Sequence, residues 1–141
     1  MLQRVRWRRA LIAALLSEVA VIVVLVSAIT IYSRLFMPGI TDAEYQALGQ
    51  RFGYYIAPAA ATVITFLMAL WVGRRLPADH VVNGVMVGAI GVILTSAFFF
   101  TARSEDQLMY LVSFALRIVA GYLGGIAAEK RHYRQLGAVS A

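Results

Sequence analysis

Four long stretches of apolar residues, separated by short polar segments, dominate the chain. They run from Ala10 to Ser33, from about Tyr54 to Val72, from Val81 to Phe100 and from Leu108 to Ala128. Each holds roughly 19–24 residues, close to the ~20 that an α-helix needs to cross a ~30 Å hydrocarbon core. None alternates in polarity at every second residue, as a strand of a membrane β-barrel would. The pattern therefore predicts an all-α membrane protein, an antiparallel bundle of four transmembrane helices.

The composition agrees with this class. Of the 141 residues, 61% are hydrophobic, against about 45–50% in a soluble domain. We expect one membrane domain over residues 1–133 and a short cytoplasmic tail over 134–141. Residues 4–28 also resemble a signal peptide that ends at Val26-Ser27-Ala28, although their apolar run is longer than the usual ~7–15 residues. Cleavage there would leave three spans.

The first polar segment carries a helix signal of its own. Thr41 and Glu44 have the spacing of a capping box, in which two side chains satisfy the free N–H groups at a helix start. We predict a short helix over residues 42–51 in the first extracytoplasmic loop, which either lies on the membrane surface or extends the second span. Asp79 has the chemistry of an N-cap for the third span.

Basic residues are distributed unequally between the two ends of the apolar segments. Three lie at one end, Arg34, Arg51 and Arg103. The nine at the other end are Arg4, Arg6, Arg8, Arg9, Arg74, Arg75, Lys130, Arg131 and Arg134. Because Lys and Arg favour the cytoplasmic side, we predict a multi-pass protein of the inner or plasma membrane with both termini in the cytoplasm. All nine except Arg134 are expected to contact anionic lipid headgroups, so the net charge of +6 does not indicate nucleic acid.

Two charged residues interrupt the apolar segments, where a charge costs roughly 3 kcal/mol or more. Glu18 is nine residues from Arg9 and Arg117 is eleven from Ala128, about 13 and 16 Å from the cytoplasmic edge. We predict that the first and fourth helices are adjacent and that these two residues pair inside the bundle. The pair is either a structural device that fixes helix register, or a site where Glu18 binds a proton or cationic substrate under the influence of Arg117.

Glycines recur on the third and fourth segments. They are Gly84, Gly88, Gly91, Gly121, Gly124 and Gly125. Two pairs among them have the GxxxG spacing that lets helices approach closely. We expect them to pack helices within the chain, with a homodimer face as the alternative.

Signals for catalysis or for a cofactor are weak. Neither an HExxH zinc motif nor a GxSxG nucleophile motif occurs, and the chain has no cysteine. His80 and His132 flank the third and fourth segments and could approach each other around a metal or haem, but buried cofactor sites normally place histidines within the spans. We therefore expect no enzyme, cofactor or metal site. The expected role is a structural or accessory subunit, or a partner of another membrane protein, with a small ion- or proton-coupled transporter using Glu18 as the alternative.

Overall fold

The computed structural model describes residues 6–139, which form four α-helices and contain no β-strand. The helices are α1 (Trp7–Phe36), α2 (Asp42–Gly73), α3 (His80–Thr101) and α4 (Ser104–Val139). Each includes a stretch long and apolar enough to cross a membrane, so the four apolar segments predicted from the sequence are helical. The shortest helix, α3, has 22 residues and is about 33 Å long, which matches the thickness of a hydrocarbon core.

Residues 42–51 do not form a separate loop helix. They are the first turns of α2, which runs without a break from Asp42 to Gly73. The predicted capping box is present, because the Glu44 N–H donates to Thr41 Oγ1 at 3.4 Å and the Thr41 N–H donates to Glu44 Oε2 at 2.8 Å. No proline lies between this start and the apolar span, so the helix continues into it. At the other end of the chain, α4 likewise continues past residue 133 to Val139.

Helices α3 and α4 approach each other closely and run in opposite directions. Gly84 lies against Gly121, and Gly88, one turn later, lies against the backbone of Arg117. Because the α4 residue number falls as the α3 number rises, the two chains are antiparallel at this contact. The missing side chains let the two backbones come near enough for direct van der Waals contact.

Helix α4 also packs on α2, with both chains running in the same direction. Gly124 lies against Leu70, and Ala128, one turn further along, lies against Gly73. Helix α1 packs on α2 and α3. Thus α2 and α3 each contact every other helix, and they separate α1 from α4.

The main apolar core is built largely from small side chains at one end of the bundle. Its members are Ala10, Ala13, Ala14, Ala69, Val72, Leu76, Val87 and Ile90. Small residues at helix contacts are typical of membrane bundles, where lipid solvates large apolar side chains as well as a protein core does. Many large apolar residues accordingly point outward, with Leu15, Val19 and Ile22 of α1 all close to half exposed or more.

Candidate functional site

Glu18 of α1 and Arg117 of α4 form a two-pronged ion pair. Nη1 of Arg117 donates to Oε1 of Glu18, and Nη2 donates to Oε2 at 3.2 Å. The Arg117 side chain is 6% exposed and the Glu18 side chain 19%. Two parallel N–H···O contacts are the strongest arrangement that a guanidinium and a carboxylate can adopt. The structure thus brings together the two charged residues that interrupt the apolar segments, and each charge has its counter-charge within the chain.

The pair joins two helices that are not neighbours. The expectation that the first and fourth helices are adjacent is wrong, because α1 and α4 hardly approach each other and each packs instead on α2 and α3. Depth along two spans shows whether two residues lie at the same level, but it cannot distinguish adjacent helices from diagonal ones. The long side chains of Glu18 and Arg117 cross this diagonal.

Gly91 of α3 provides the space in which the two side chains meet. A Cβ atom at this position would lie 3.0 Å from Nη1 of Arg117 and 3.3 Å from Oε1 of Glu18. Both distances are shorter than ordinary van der Waals contacts, so a larger residue would require the ends of the Arg117 and Glu18 side chains to shift. Gly91 therefore serves the ion pair rather than a contact between two backbones.

Two buried polar atoms in this region have no hydrogen-bond partner among the described residues. They are Oγ of Ser17, which precedes Glu18, and Nε of Arg117. Leaving a buried donor or acceptor unpaired costs about 1–3 kcal/mol. Sequence reasoning did not single out Ser17, because a lone serine looks unremarkable in an apolar segment.

The other predicted packing glycines lie where α4 meets α3 and α2. They are Gly84, Gly88, Gly121, Gly124 and Gly125, and all are buried. A Cβ on Gly84 would overlap the carbonyl oxygen of Gly121, and a Cβ on Gly124 would lie 2.6 Å from the carbonyl oxygen of Phe66. These glycines are covered by other helices of the same chain, so they do not present a face to a second copy.

Asn83 is a fully buried polar residue that sequence reasoning did not single out. Its Oδ1 accepts the backbone N–H of Arg6 at 2.8 Å, and its Nδ2 donates to the carbonyl of Asp79 at 2.9 Å. The side chain thereby ties the residue before α1 to the start of α3. Asp79 precedes α3 as expected, but with φ 58° it adopts the left-handed conformation and makes no side-chain capping bond to the helix. An amide one turn into an apolar segment was the signal that could have revealed this contact.

Most of the predicted lipid-contact residues gather at one end of the bundle. Seven of the eight are described and exposed, Arg6, Arg8, Arg9, Arg74, Arg75, Lys130 and Arg131, and Arg4 lies outside the described residues. Two contacts within the chain involve these basic residues. Nη1 of Arg9 donates to the Arg75 carbonyl at 3.0 Å, and the Arg75 guanidinium lies 5.4 Å from the centre of the Trp71 ring.

His80 and His132 meet at the same end, with ring centres 5.2 Å apart. His80 is buried, and its Nδ1 is 2.8 Å from the Gly73 carbonyl, to which it donates. Among the described residues no group of three or more histidine, cysteine or acidic side chains could hold a metal ion. Next to this pair, a pocket of about 270 Å³ is lined by Arg74, Ala128, Arg131 and His132.

The geometry thus offers an ion pair at the level of the middle of the bundle and a basic pocket at one end. Comparison of the chain with models of known protein families, with curated proteins and with solved structures finds no match.

Proposed function

We propose that this chain is an integral protein of the cytoplasmic membrane, a four-span antiparallel bundle with both termini in the cytoplasm. The exposed apolar surface of the helices supports this proposal. Only 28–39% of the residues in their most apolar windows are buried within the fold, whereas a soluble protein rarely exposes a continuous apolar patch of more than a few hundred Å². Lipid chains would solvate the remainder.

The proposed orientation follows from the charges. The basic end that includes Arg9, Arg75 and Arg131 is assigned to the cytoplasm by the positive-inside rule. The chain has no cysteine, so single cysteines can report the orientation. In intact cells, a membrane-impermeant maleimide should label Ala43→Cys, whereas Ser140→Cys should react only after lysis. The reverse pattern would contradict the orientation.

We further propose a structural or accessory role, in which the chain supports or binds another membrane protein and has no catalytic activity. The observation that carries this proposal is the two-pronged Glu18–Arg117 pair. A buried Arg117 that already has its counter-charge within the chain needs no ligand to neutralise it. Such a pair fixes the position of α1 relative to α4, although the two helices scarcely touch, and so preserves the shape of the outer surface that a partner would recognise.

Glu18→Gln tests this role, with Glu129→Gln as the matched control, since Glu129 lies on α4 away from the pair. If the pair is structural, Glu18→Gln should lower the unfolding temperature in detergent, because Arg117 then keeps an uncompensated buried charge. Glu129→Gln should leave that temperature nearly unchanged. A Glu18→Gln protein as stable as the control would contradict the structural role.

A second candidate is a small proton- or cation-coupled transporter with Glu18 as the coupling residue. Two observations favour it: Glu18 is more exposed than its partner, and Arg117 Nε is a buried donor without a hydrogen-bond partner among the described residues. Intramembrane acids are common components of proton pathways. In this case, proteoliposomes should show a pH-driven flux that Glu18→Gln abolishes while the variant stays folded. Absence of flux with the unmodified protein across proton and alkali-cation gradients would remove this candidate.

A further inference from the structure

The pocket between the end of α2 and α4 is lined by three nitrogen-bearing side chains and one methyl group. Arg74 comes from the residue after α2, and Ala128, Arg131 and His132 come from α4. Residues three and four apart lie on one face of a helix, so α4 presents this set together and turns Glu129 and Lys130 to other sides. None of the four lining residues is acidic.

The end of a helix is ordinarily a poor place for an anion, because its last carbonyl groups carry partial negative charge. Here the last two of those carbonyls already accept hydrogen bonds. The Gly73 carbonyl accepts from Leu76 N–H at 3.0 Å and from His80 Nδ1 at 2.8 Å, and the Val72 carbonyl accepts from Arg75 N–H at 3.2 Å. The polar side chains that line the pocket are those of Arg74, Arg131 and His132, and each of them can donate a hydrogen bond.

The donors match one chemical group. Arginine binds phosphate in the same forked geometry that it uses for carboxylate, and an imidazole offers at least one N–H in either protonation state. The volume of about 270 Å³ is just below the roughly 300 Å³ at which pockets for drug-sized ligands begin. The pocket thus has room for a headgroup-sized anion.

We propose that Arg74, Arg131 and His132 form a specific binding site for a phosphate group, distinct from the general attraction of basic residues to a membrane surface. The phosphate is either that of an anionic phospholipid headgroup or that of a soluble phosphate compound. Assignment of the site to the cytoplasmic leaflet rests on the proposed orientation. The binding itself does not, so the failure of one can be told from the failure of the other by measurements in detergent.

The chain offers a matched pair of variants, because each pocket arginine is next to a basic residue outside the pocket. The pocket variant combines Arg74→Gln with Arg131→Gln. The control combines Arg75→Gln with Lys130→Gln and removes two positive charges from the same end of the molecule. Purified full-length protein in a phosphate-free detergent is titrated with phosphatidylglycerol and analysed by native mass spectrometry. A parallel thermal-shift titration uses inorganic phosphate alone.

For a lipid site, the pocket variant should bind phosphatidylglycerol at least about tenfold more weakly than the unmodified protein, which corresponds to about 1.4 kcal/mol. The control should stay within about threefold. If the difference between the two variants appears only with inorganic phosphate, the site still stands and its ligand is soluble. Equal weakening of the two variants with both probes, or no weakening in either, would overturn the proposal. His132→Gln, which keeps both arginines, should show an intermediate loss.

Discussion

Gly91 faces the guanidinium of Arg117 so closely that a single added carbon would lie 3.0 Å from Nη1. This relationship explains how two diagonal helices can share an ion pair. Helix α3 lies beside the path between them, and its surface is reduced to bare backbone where the two side chains meet. The size of one residue on α3 thus controls an electrostatic contact between α1 and α4.

Enlarging Gly91 should therefore separate Glu18 from Arg117. We predict that Gly91→Val lowers the free energy of unfolding by about 1–3 kcal/mol, the usual range for overpacking a filled site. The measurement is denaturant unfolding in mixed micelles. Gly53→Val is the control, because this helical glycine has no atom within 4 Å of an added Cβ, and its effect should stay below about 0.5 kcal/mol. Similar losses in the two variants would show that Gly91 has no special relation to the pair.

The two charges should behave as one unit. We predict that Glu18→Gln and Arg117→Gln each destabilise the bundle by about 3–5 kcal/mol, because each leaves a buried charge without its partner. The double variant should cost clearly less than the sum, with a coupling energy of about 1–3 kcal/mol in a double-mutant cycle. Strict additivity of the two single effects would mean that the contact contributes nothing to stability.

The closest helix contact should tolerate no side chain at all. A Cβ on Gly84 would meet the backbone of α4 at Gly121 and, at 3.0 Å, at Gly125, and neither can move without shifting the whole helix. We predict that Gly84→Ala lowers the free energy of unfolding by about 1–3 kcal/mol. Gly49→Ala, whose added carbon would lie 3.9 Å from Ile29, should be neutral or stabilising by up to about 1 kcal/mol.

The same two variants separate packing within the chain from packing between copies. Because Gly84 is buried under α4, its substitution should leave the oligomeric state in detergent unchanged while it lowers stability. Light scattering coupled to size-exclusion chromatography provides the measurement. A dimer that dissociates on Gly84→Ala without loss of stability would contradict the observed placement of this residue.

The amide of Asn83 should control how firmly the start of α1 is held. Asn83→Ala would leave the Arg6 N–H without its acceptor and remove one donor from the Asp79 carbonyl, at a cost of about 1–3 kcal/mol. We predict that tryptic cleavage after Arg9 becomes about tenfold faster, since 1.4 kcal/mol is a factor of ten in a local opening equilibrium. Ser96→Ala, whose hydroxyl donates only to Ile93 of its own helix, should leave the cleavage rate unchanged. Equal cleavage rates for the two variants would show that the hydrogen bond between Asn83 and the Arg6 N–H does not hold the start of α1 in place.

The features that could be predicted are those determined by the order of residues along the chain. Hydropathy located the four apolar helices, and the Thr41–Glu44 spacing located the start of α2. Two charges at the same depth in apolar segments indicated an ion pair. The sequence does not reveal which helices are adjacent. The position of a residue along its helix gives its depth, but it does not show which other helices pack against that helix. For this reason the adjacency of α1 and α4 was predicted wrongly, and the relation of Gly91 to the pair was not visible.

Other features are only partly visible in the sequence. Residues 42–51 are predicted as a helix that either lies on the membrane surface or extends the second span, and the change of polarity near Tyr54 leaves both possibilities open; the structure shows the extension. A helix, however, ends where its backbone loses hydrogen bonds, and a change of polarity alone does not end it. The place of His132 in the pocket depends on Arg74, which is 58 residues away in the sequence, so no local pattern reveals it.

The diagonal ion pair also imposes an order on biogenesis. Glu18 and Arg117 are 99 residues apart in the chain, so at about 5–20 residues per second a ribosome adds Glu18 roughly 5–20 seconds before Arg117. Throughout this interval the proposed first span carries an acid that has not met its counter-charge, at a cost of roughly 3 kcal/mol. Synthesis of the last helix removes that cost, and consequently the two halves of the molecule cannot mature as independent hairpins.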